Sequence, residues 1–506
     1  MIRRLFAQYP RQLAGWLSFA ILLTTYWLTT PATVSYWDCP EYVSAAWLLE
    51  VGHPPGNPLW MLVERMVTLL VPADMAAYAV NLSSGVFTAF AGYFLAMSVF
   101  MVTLWILRKR RRAGISPATG AFFTAITAAL VFGWCDSTWY SAVEAEVYAM
   151  SIFFTALSVW LTVKWAFMPD SLKANRMLVL IAYVFGLSIG VHQLNLLAIP
   201  ALTLVWGLRR KIKSPVKLSL YVLAGMVMVA VILLVIMPGS IAVAAWLELW
   251  AVNSLGLPPL SGVALFLLLT GAILATSLAL TSFGHRRMRL GFWMITLFLT
   301  GYSVYAIIPI RGDIASPANA AMPGEPFAFA AYQSREQYGA KPLFYGATPY
   351  SRPLLMEEYD KQSGKPVYRR YAIRRTHPIY VPYEPGARLD HGVNGLLPED
   401  SAANARVIAS GRKGYIVRGY ALKNVLTPEL DMLLPRITSR NPADLPSYYD
   451  WCGMDTASMN RVAVSEVIDS LGRPQGKMLP DGSRNTAFSY KPTLAQNLKM
   501  LFTYQI

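Results

Sequence analysis

Residues 217–237 read KLSLYVLAGMVMVAVILLVIM, and residues 262–283 read GVALFLLLTGAILATSLALTSF. Each run is almost free of charge and is about 20 residues long, the length of helix that crosses the hydrocarbon core of a bilayer. The chain has 506 residues, of which 55% are hydrophobic and only 14% are charged. Soluble domains carry about 25% charged residues. The sequence therefore predicts an integral membrane protein.

Short basic loops separate the apolar segments and predict their orientation. Examples are RKRRR at 108–112, RRKIK at 209–213 and HRRMR at 285–289. Loops of this kind are retained in the cytoplasm. Threading the apolar segments between the basic loops predicts about nine spans, at 14–34, 76–107, 118–135, 147–168, 177–191, 196–208, 217–237, 262–283 and 290–309. With a cytoplasmic N-terminus, an odd number of spans places the C-terminal part outside.

Two segments depart from a simple hairpin pattern. The stretch 177–208 is barely long enough for two helices, with GVHQLN and Pro200 near the predicted bend. The segment 238–260 is framed by prolines and carries Glu248 and Asn253, so we expect a separate helix lying at the outer interface.

The composition changes at about residue 312, where polar, Tyr-rich and Pro-rich sequence begins. Alternating stretches at 366–380 and 413–417 predict strands, and 398–412 and 455–472 are expected to be helical. The predicted fold is an all-α polytopic membrane core, residues 1–311, followed by a C-terminal mixed α/β extracytoplasmic domain, residues 312–506.

The charge and motif content exclude several function classes. The net charge is +16, but the basic residues cluster in inter-helix loops and form no basic groove motif, so no nucleic-acid partner is predicted. Three scattered cysteines fit neither a disulfide framework nor a metal site. No GxGxxG, P-loop, HExxH or CxxC pattern occurs in a supporting context, so no bound cofactor is predicted.

The first outer loop concentrates residues that can carry chemistry. Asp38, Glu41 and His53 lie within 16 residues, beside the turn-forming HPPGNP run. Acidic side chains close to a bilayer are costly and are therefore functional candidates. If the segment is helical, Asp38 and Glu41 share one face. The alternative is that they are solvated loop carboxylates, with Asp38 as a helix N-cap.

Two further polar clusters fall on the same predicted surface. Glu144 and Glu146 lie in the second outer loop and, being two apart, cannot share one helix face. His192 and Gln193 lie at the bent hairpin. A single histidine there is equally a packed, hydrogen-bonded residue. Three clusters at one surface together predict one site.

Arg311 directly follows the last predicted span, in YAIIPIRGD. This position suits contact with an anionic headgroup or phosphate. An interfacial anchor that extends its charge to the headgroups is the alternative.

Four ordered blocks carry a family resemblance, and they are WDCPEYVSAAWLLEVGHPPGNPL at 37–59, WYSAVEAEVYAMSIFF at 139–154, GLSIGVHQLNLLAIPA at 186–201 and AAYQSREQYGAKPLFYGATPY at 330–350. In these blocks the chain resembles the bacterial polytopic protein O-glycosyltransferases of glycosyltransferase family 117, related to the animal transmembrane O-mannosyltransferase of plexin-type domains. Many bacterial members continue beyond the point where this chain stops. The resemblance therefore implies either a naturally short form or a truncated chain.

The resemblance implies a GT-C fold and a sugar donor linked to polyprenyl phosphate. It implies Asp38 as the catalytic base, assisted by Glu41. Our candidates for donor and substrate binding, chosen from the polar and basic residues at this surface, are His53, Glu144, Glu146, His192, Gln193, Arg311 and Arg335. Proline at position 40 and tyrosine at position 42 depart from the usual glycine and phenylalanine, and neither change removes a carboxylate.

The partners that follow are the lipid-linked sugar donor, an exported protein acceptor with Ser/Thr hydroxyls, and membrane lipids. The expected location is the bacterial inner membrane, with the C-terminal domain in the periplasm. Carboxylates in a lipid-phosphate site bind Mg²⁺ or Mn²⁺, but the spacing matches no metal-ligand motif, so no metal ligand is assigned and a divalent ion stays an open cofactor. Transfer to lipid A or another glycolipid, and lipid-linked substrate transport or flipping, are the alternative functions.

Overall fold

The computed structural model describes most of the chain, namely residues 9–110, 116–281, 286–314, 322–339, 342, 344–348, 350–386, 395–435, 442–455 and 459–505. Two compact units divide it, Met1–Arg335 and Glu336–Ile506.

The described residues of the first unit form helices and connecting loops, with no strand among them. Its helices are α1 (Pro10–Thr29), α2 (Cys39–Leu48), α3 (Pro58–Thr68), α4 (Ala76–Arg110), α5 (Pro117–Gly133), α6 (Asp136–Val143), α7 (Val147–Ala166), α8 (Leu172–Ile189), α9 (Ile199–Arg209), α10 (Pro215–Val231), α11 (Met237–Leu249), α12 (Ser261–Leu280), α13 (Arg286–Tyr302), α14 (Ile307–Gly312) and α15 (Pro326–Gln333). Helix α4 packs against α1, α5 and α7, and α8 packs against α13.

Six helical stretches in the described residues are long and apolar enough to cross a membrane, at Ala73–Lys109, Val147–Ala166, Leu172–Ile189, Pro215–Ser254, Ser261–Leu280 and Arg287–Gly312. Helices α5 and α6 make a seventh only if they count as one span bent by 69°. This supports a multi-pass membrane protein. Three of the nine predicted spans do not reach this standard on their own. They are 14–34, which corresponds to α1, 118–135, which corresponds to α5, and 196–208, where α9 has 11 residues.

The predicted interface helix at 238–260 is wrong. Helices α10 and α11 belong to one helical stretch of 40 residues, Pro215–Ser254. A π-helical turn at Ile232–Ile236 precedes Pro238. A π turn widens the helix locally, so a proline can be accommodated without ending it. Glu248 is fully buried and accepts the backbone N–H groups of Gly262 and Val263 at the start of α12.

The predicted bend within 177–208 is confirmed. Helix α8 ends at Ile189, and a 3₁₀ turn at Gln193–Ala198 leads into α9. Pro200 lies in the first turn of α9, where its missing N–H has no helical partner to lose. The buried Asn195 amide donates to the Ser188 hydroxyl at 2.7 Å and fixes the bend.

Glycines allow α8 and α13 to touch along their backbones. A Cβ atom on Gly186 would lie 2.0 Å from the carbonyl oxygen of Phe298, and one on Gly301 would lie 2.6 Å from that of Tyr183. Small residues at helix contacts are typical of membrane proteins, where close packing replaces the hydrophobic effect. This contact holds the segment that carries His192 against the rest of the helical unit.

The second unit mixes short strands and helices. The strands are β1 (Tyr345–Gly346), β2 (Leu355–Met356), β3 (Glu358–Tyr359), β4 (Pro366–Val367), β5 (Ile373–Tyr383), β6 (Gly414–Asn424), β7 (Met432–Leu433), β8 (Asn460–Val464), β9 (Val467–Ile468), β10 (Pro474–Gln475) and β11 (Ala487–Lys491). The helices are α16 (Pro398–Ala409), α17 (Leu445–Cys452) and α18 (Leu494–Met500). Strands β5 and β6 pair antiparallel, β8 pairs with β11 in the same sense, and β2 pairs parallel with β9.

The strand predictions at 366–380 and 413–417 and the helix prediction at 398–412 are confirmed in outline. Asn404 of α16 holds β6 by donating to the Val417 carbonyl and accepting from the Val417 N–H. The predicted helix at 455–472 is wrong, because β8 and β9 lie there. The run RVAVSEVI alternates and is rich in β-branched valine, which favours a strand over a helix.

The boundary between the units falls at Arg335, later than the predicted boundary at 311. Helix α15 accounts for the difference, because it packs on α11. The Tyr332 hydroxyl also donates to the Gly52 carbonyl at 2.6 Å. The block around Tyr332 is therefore part of the helical unit.

Candidate active site

Asp38 and Glu41 lie at the start of α2. Asp38 occupies the N-cap position, but its side chain makes no capping hydrogen bond. Pro40 stands in the first turn, where helices accept proline readily. With its carboxylate not used as a cap and 55% exposed, Asp38 is able to meet a substrate.

His53 bridges the two carboxylates. Its Nδ1 lies 3.2 Å from both Glu41 oxygens, and its Nε2 lies 4.0 Å from Asp38 Oδ2. The His53 backbone N–H also donates to Glu41 Oε1 at 2.6 Å. The turn after α2 therefore folds back onto the first turn of the same helix.

The surroundings of His53 and Glu41 shift their pKa values in opposite directions. The hydrogen bond to Glu41 is the largest influence on His53 and raises its pKa, outweighing burial, which lowers it. For Glu41, partial burial raises the pKa, but the hydrogen bonds from the His53 ring and backbone together outweigh burial and leave the pKa below its ordinary value. The pairing therefore favours the protonated form of the His53 imidazole and the ionised form of the Glu41 carboxylate.

The turn at 52–56 is held from two distant parts of the chain. Tyr332 donates to the Gly52 carbonyl, and the Tyr305 hydroxyl donates to the Gly56 carbonyl at 3.2 Å. Gly56 has a φ of +78°, and a Cβ atom there would lie 2.6 Å from the Tyr332 hydroxyl. A Cβ atom on Gly52 would lie 2.9 Å from Glu41 Oε1. Only glycine fits these two positions without displacing the site.

Glu146 joins the cluster from the second outer loop. It is the N-cap of α7, and its carboxylate accepts the Val147 N–H at 3.2 Å. Burial, and then the nearby charges of Asp38 and Glu144, raise the pKa of Glu146 to about 7 against the opposing effects of the Val147 hydrogen bond and His53. Glu146 is thus near half ionisation at neutral pH.

Tyr42 lies among the same acidic residues and His53. Its ring is buried and lies 5.7 Å from the His53 ring. Burial, followed by the charges of Glu146, Asp38 and Glu41, raises the pKa of its hydroxyl. The structure therefore brings Asp38, Glu41, His53 and Glu146 into one cluster. Glu144 lies outside any helix, in a turn where its carbonyl accepts the Glu146 N–H, and it influences the cluster only through Glu146.

His192 and Arg335 form a neighbouring group. The His192 ring lies 5.5 Å from the Tyr148 ring, and its Nδ1 accepts the Leu194 N–H at 3.2 Å. Burial, and then the positive charge of Arg335, lower the pKa of His192. Gln193 begins the adjoining 3₁₀ turn and is half-buried. Burial and Arg335 therefore favour the neutral form of His192, whereas Glu41 favours the charged form of His53.

Arg311 is built into the end of α2. Its Nε donates to the Leu49 carbonyl at 2.8 Å, and its Nη2 donates to the Leu48 carbonyl at 3.2 Å. Both carbonyls lie at the C-terminal end of the helix, where a cation is stabilising. Arg311 thus holds the segment between Asp38 and His53 from its far end, a role that neither sequence-based alternative included.

A metal ion has one possible set of ligands among the described residues. One ligand atom from each of Asp38, Glu41 and His53 lies within 4.8 Å of the others. Two carboxylates and an imidazole suit Mn²⁺ or Zn²⁺. The residues fit such an ion, although the His53 proton would have to leave first.

Sequence reasoning missed two features of this site. The spacing of Asp38, Glu41 and His53 matches no metal motif, because the grouping arises from the turn at 52–56. Tyr332 is 279 residues away from His53 and donates to its carbonyl at 3.2 Å. The sequence signal for this contact was that both residues lie in blocks that carry the family resemblance, 37–59 and 330–350.

The comparison with known families matches the part of the chain that carries most of this cluster. A family model described as the N-terminal domain of the protein O-mannosyl-transferase TMEM260 matches residues 38–215. This range contains Asp38, Glu41, His53, Glu146 and His192, whereas Arg311 and Arg335 lie outside it.

A curated relative gives the same result. The mouse (Mus musculus) protein O-mannosyl-transferase TMEM260 is 30% identical over 171 residues, which are 34% of this chain and 22% of that protein. The chain thus matches about a fifth of the relative's length. No solved structure matches the chain significantly. Over residues 38–215, the helical unit is therefore related to the N-terminal domain of a protein O-mannosyl-transferase.

Proposed function

We propose that this protein is a membrane glycosyltransferase that moves a sugar, mannose by its resemblance, from a polyprenyl-phosphate donor to Ser/Thr hydroxyls of exported proteins. The proposal includes the assignment to bacterial glycosyltransferase family 117, a GT-C core and a site on the periplasmic side of the inner membrane. The relation over residues 38–215 supports transfer of a sugar to protein.

One observation carries the assignment of the base. Asp38 and Glu41 stand on either side of His53, but only Glu41 is hydrogen-bonded to it. The pairing lowers the Glu41 pKa and so weakens it as a base. Asp38 is the more exposed carboxylate and makes no capping hydrogen bond. Asp38 is therefore our choice for the base, and Glu41 is a positioning residue that holds His53.

The reaction is a direct displacement. As the acceptor Oγ forms a bond to the anomeric carbon, the hydroxyl proton passes to Asp38, because an alcohol cannot lose its proton unaided at neutral pH. The bond from the anomeric carbon to the phosphate oxygen breaks, and polyprenyl phosphate leaves with the electron pair. A single displacement inverts the anomeric centre and needs no covalent sugar intermediate.

Cations close to the cluster suit the leaving phosphate. The hydrogen bond to Glu41 favours the positively charged form of His53 next to the base, and Arg335 lies close enough to His192 to lower the pKa of His192. Charge that develops on the departing phosphate is stabilised by such preorganised donors. Gln193 and His192 are our choices for hydrogen bonds to the sugar, since both are uncharged.

A divalent ion is the alternative source of positive charge. Asp38, Glu41 and His53 would hold it, and when bound it would stabilise negative charge on the donor phosphate. In that case Asp38 would serve as a ligand, and Glu146, with a pKa of about 7, would be the nearby carboxylate suited to accept the proton.

The test is transfer of radiolabelled mannose from polyprenyl-phosphate-mannose to exported Ser/Thr-containing proteins. We expect Asp38→Asn to lower transfer by about 100-fold or more, the usual scale for losing a general base. Asp136→Asn is the matched control, because Asp136 is an exposed carboxylate at the start of α6, and it should retain full activity. Normal transfer by a well-inserted Asp38→Asn protein would remove Asp38 as the base.

The same assay separates the other functions. Label found on lipid A or another glycolipid, and absent from protein, would replace the protein acceptor by a lipid one. Movement of the donor across the membrane without transfer would replace the enzyme by a flippase. The second unit is proposed to help recognise the acceptor, and unchanged acceptor choice after its removal would leave it a purely stabilising role.

A further inference from the structure

A groove with three cationic side chains lies at the ends of α7 and α8 that are farthest along each helix from the candidate active site. Helix α7 starts beside Glu146 and ends at Ala166, and α8 starts at Leu172 and returns towards His192. The groove between these ends has a volume of about 350 Å³ and is lined by Lys164, Met168, Lys173, Arg176, Met177 and Leu180.

The sequence places the three cations together. Lys173 and Arg176 are three residues apart in the first turns of α8 and so share a face, while Lys164 is in the last turn of α7. The acid of the same loop, Asp170, is already paired with Arg209 at 2.6 Å. Within the described residues, no ion pair joins Lys164, Lys173 or Arg176 to a carboxylate.

Other basic loops of the sequence also lack acidic residues. Residues 111–115 and 282–285, which lie outside the described part of the chain, contain no Asp or Glu. Lys164 rests over the Trp160 ring, with its Nζ 4.9 Å from the ring centre. The groove therefore presents positive charge that the surrounding sequence does not neutralise.

The groove continues as an apolar channel. A second cavity of about 270 Å³ shares Arg176 and Leu180 with the first and adds Val179, Tyr183 and Leu297. Leu297 belongs to α13, so this part runs between two candidate membrane spans. Cations at one end and an apolar channel along the spans match the two chemical parts of a phospholipid.

We propose that this groove binds an anionic phospholipid of the bilayer. The phosphate headgroup contacts Lys164, Lys173 and Arg176, and an acyl chain lies along Leu180, Tyr183 and Leu297. Met168 and Met177 line the groove with flexible thioether side chains that adapt to the shape of a ligand. Basic pockets between membrane helices on the cytoplasmic side bind anionic headgroups in this way.

The test measures lipid binding by native mass spectrometry of the full chain in detergent. Phosphatidylglycerol and phosphatidylcholine are titrated in parallel. The triple variant K164Q/K173Q/R176Q should bind phosphatidylglycerol about tenfold or more weakly, since each cation near an anionic lipid contributes measurably. The matched control R210Q/K211Q/K213Q removes the same charge from three exposed positions in a nearby loop and should bind like the wild type.

Two further arms separate a lipid from a soluble anion. Leu180→Asn should weaken phosphatidylglycerol binding while keeping all three cations. Glycerol 3-phosphate should compete poorly, because it lacks the acyl chains. Equal binding of the two lipids, an equal loss in the control variant, or full competition by glycerol 3-phosphate would each overturn the proposal.

Discussion

His53 interacts differently with the two carboxylates beside it. Glu41 is hydrogen-bonded to it and becomes the weaker base, whereas Asp38 stays 4.0 Å away and more exposed. Glu146, from the next loop, has a pKa of about 7 because of burial and the neighbouring negative charge. His53 thus lowers the pKa of Glu41, whereas burial raises the pKa of Glu146.

The Glu146 pKa predicts a pH dependence of donor binding. Below about pH 7 Glu146 is largely neutral, and above it a carboxylate faces the same site as the anionic donor phosphate. The KM for the lipid-phosphate donor should therefore rise by about fivefold as pH increases through 7, the effect of one like charge at moderate screening. Initial rates at varied donor concentration measure it.

Glu146→Gln provides the control for this prediction, because it is neutral at every pH and of similar size. Its KM should stay flat across the same range and match the low-pH wild-type value. A KM for the variant that still rises with pH would assign the titration to another group.

The sequence singled out residues that the structure places close together, but it did not predict the contacts between them. Asp38, Glu41, His53, Glu146 and His192 stood out because polar residues at a membrane edge are costly. The contacts of His53 with Glu41 and Asp38 depend on distances of 3–4 Å that the turn at 52–56 sets. No spacing rule could give these distances, and the roles of the residues remain predictions.

The turn between α2 and α3 is the element that shapes the site. Gly56 has a φ of +78°, and a Cβ atom there would meet the Tyr332 hydroxyl at 2.6 Å and Ile308 at 2.7 Å. Gly56→Ala should therefore destabilise the protein by about 1–3 kcal/mol through backbone strain and crowding. Thermal unfolding of the detergent-solubilised protein measures the change.

Gly291→Ala is the matched control, because Gly291 is a helical residue of α13 with nothing within 4 Å of an added Cβ. Alanine has the higher helix propensity, so this variant should be neutral or up to about 1 kcal/mol more stable. Equal melting temperatures for both variants would show that the turn at 52–56 tolerates a side chain.

Two substitutions of Arg311 separate its capping of α2 from the effect of its positive charge. Arg311→Ala loses the charge and both bonds to Leu48 and Leu49, while Arg311→Lys keeps a cation but not the planar fork that reaches two carbonyls. If capping dominates, both variants should lose activity by similar factors of about tenfold. A Lys variant with wild-type kcat and donor KM would instead favour charge alone, as in a phosphate contact.

Element predictions failed where local signals were overridden. Pro238 was predicted to end a helix, but the π turn at Ile232–Ile236 accommodates the proline and the helix continues. The 455–472 stretch read as a helix, but strand pairing of β8 with β11 and of β9 with β2 and β10 determines its structure. Long apolar runs such as 262–283 were assigned correctly, because burial in lipid leaves few alternatives to a helix.

For the whole molecule, the free cysteines offer a test of orientation. Cys135 is exposed at the start of α6, whereas Cys39 and Cys452 are buried. If this end faces the periplasm, a membrane-impermeant maleimide should label Cys135 in cells with a permeabilised outer membrane and an intact inner membrane. Cys135→Ser should abolish the labelling, and labelling that requires inner-membrane lysis would reverse the proposed topology.

The stretch Pro215–Ser254 has a consequence for where the reaction takes place. Its 40 residues measure about 60 Å along the axis, and even at the largest usual tilt of about 40° it spans about 46 Å, well beyond a hydrocarbon core of about 30 Å. This hydrophobic mismatch requires part of the helix to emerge into water. The exposed Trp246 and Trp250, one turn apart, suit the level of exit.

The C-terminal half of this stretch contains α11, the helix on which α15 packs. Through Tyr332, α15 in turn holds the turn that carries His53. In the proposed orientation, the height of the candidate site above the lipid therefore depends on the length of a protein helix and not only on the thickness of the bilayer. In the proposed reaction, a folded, water-soluble acceptor presents its hydroxyl without entering the membrane, while the donor stays anchored in the bilayer.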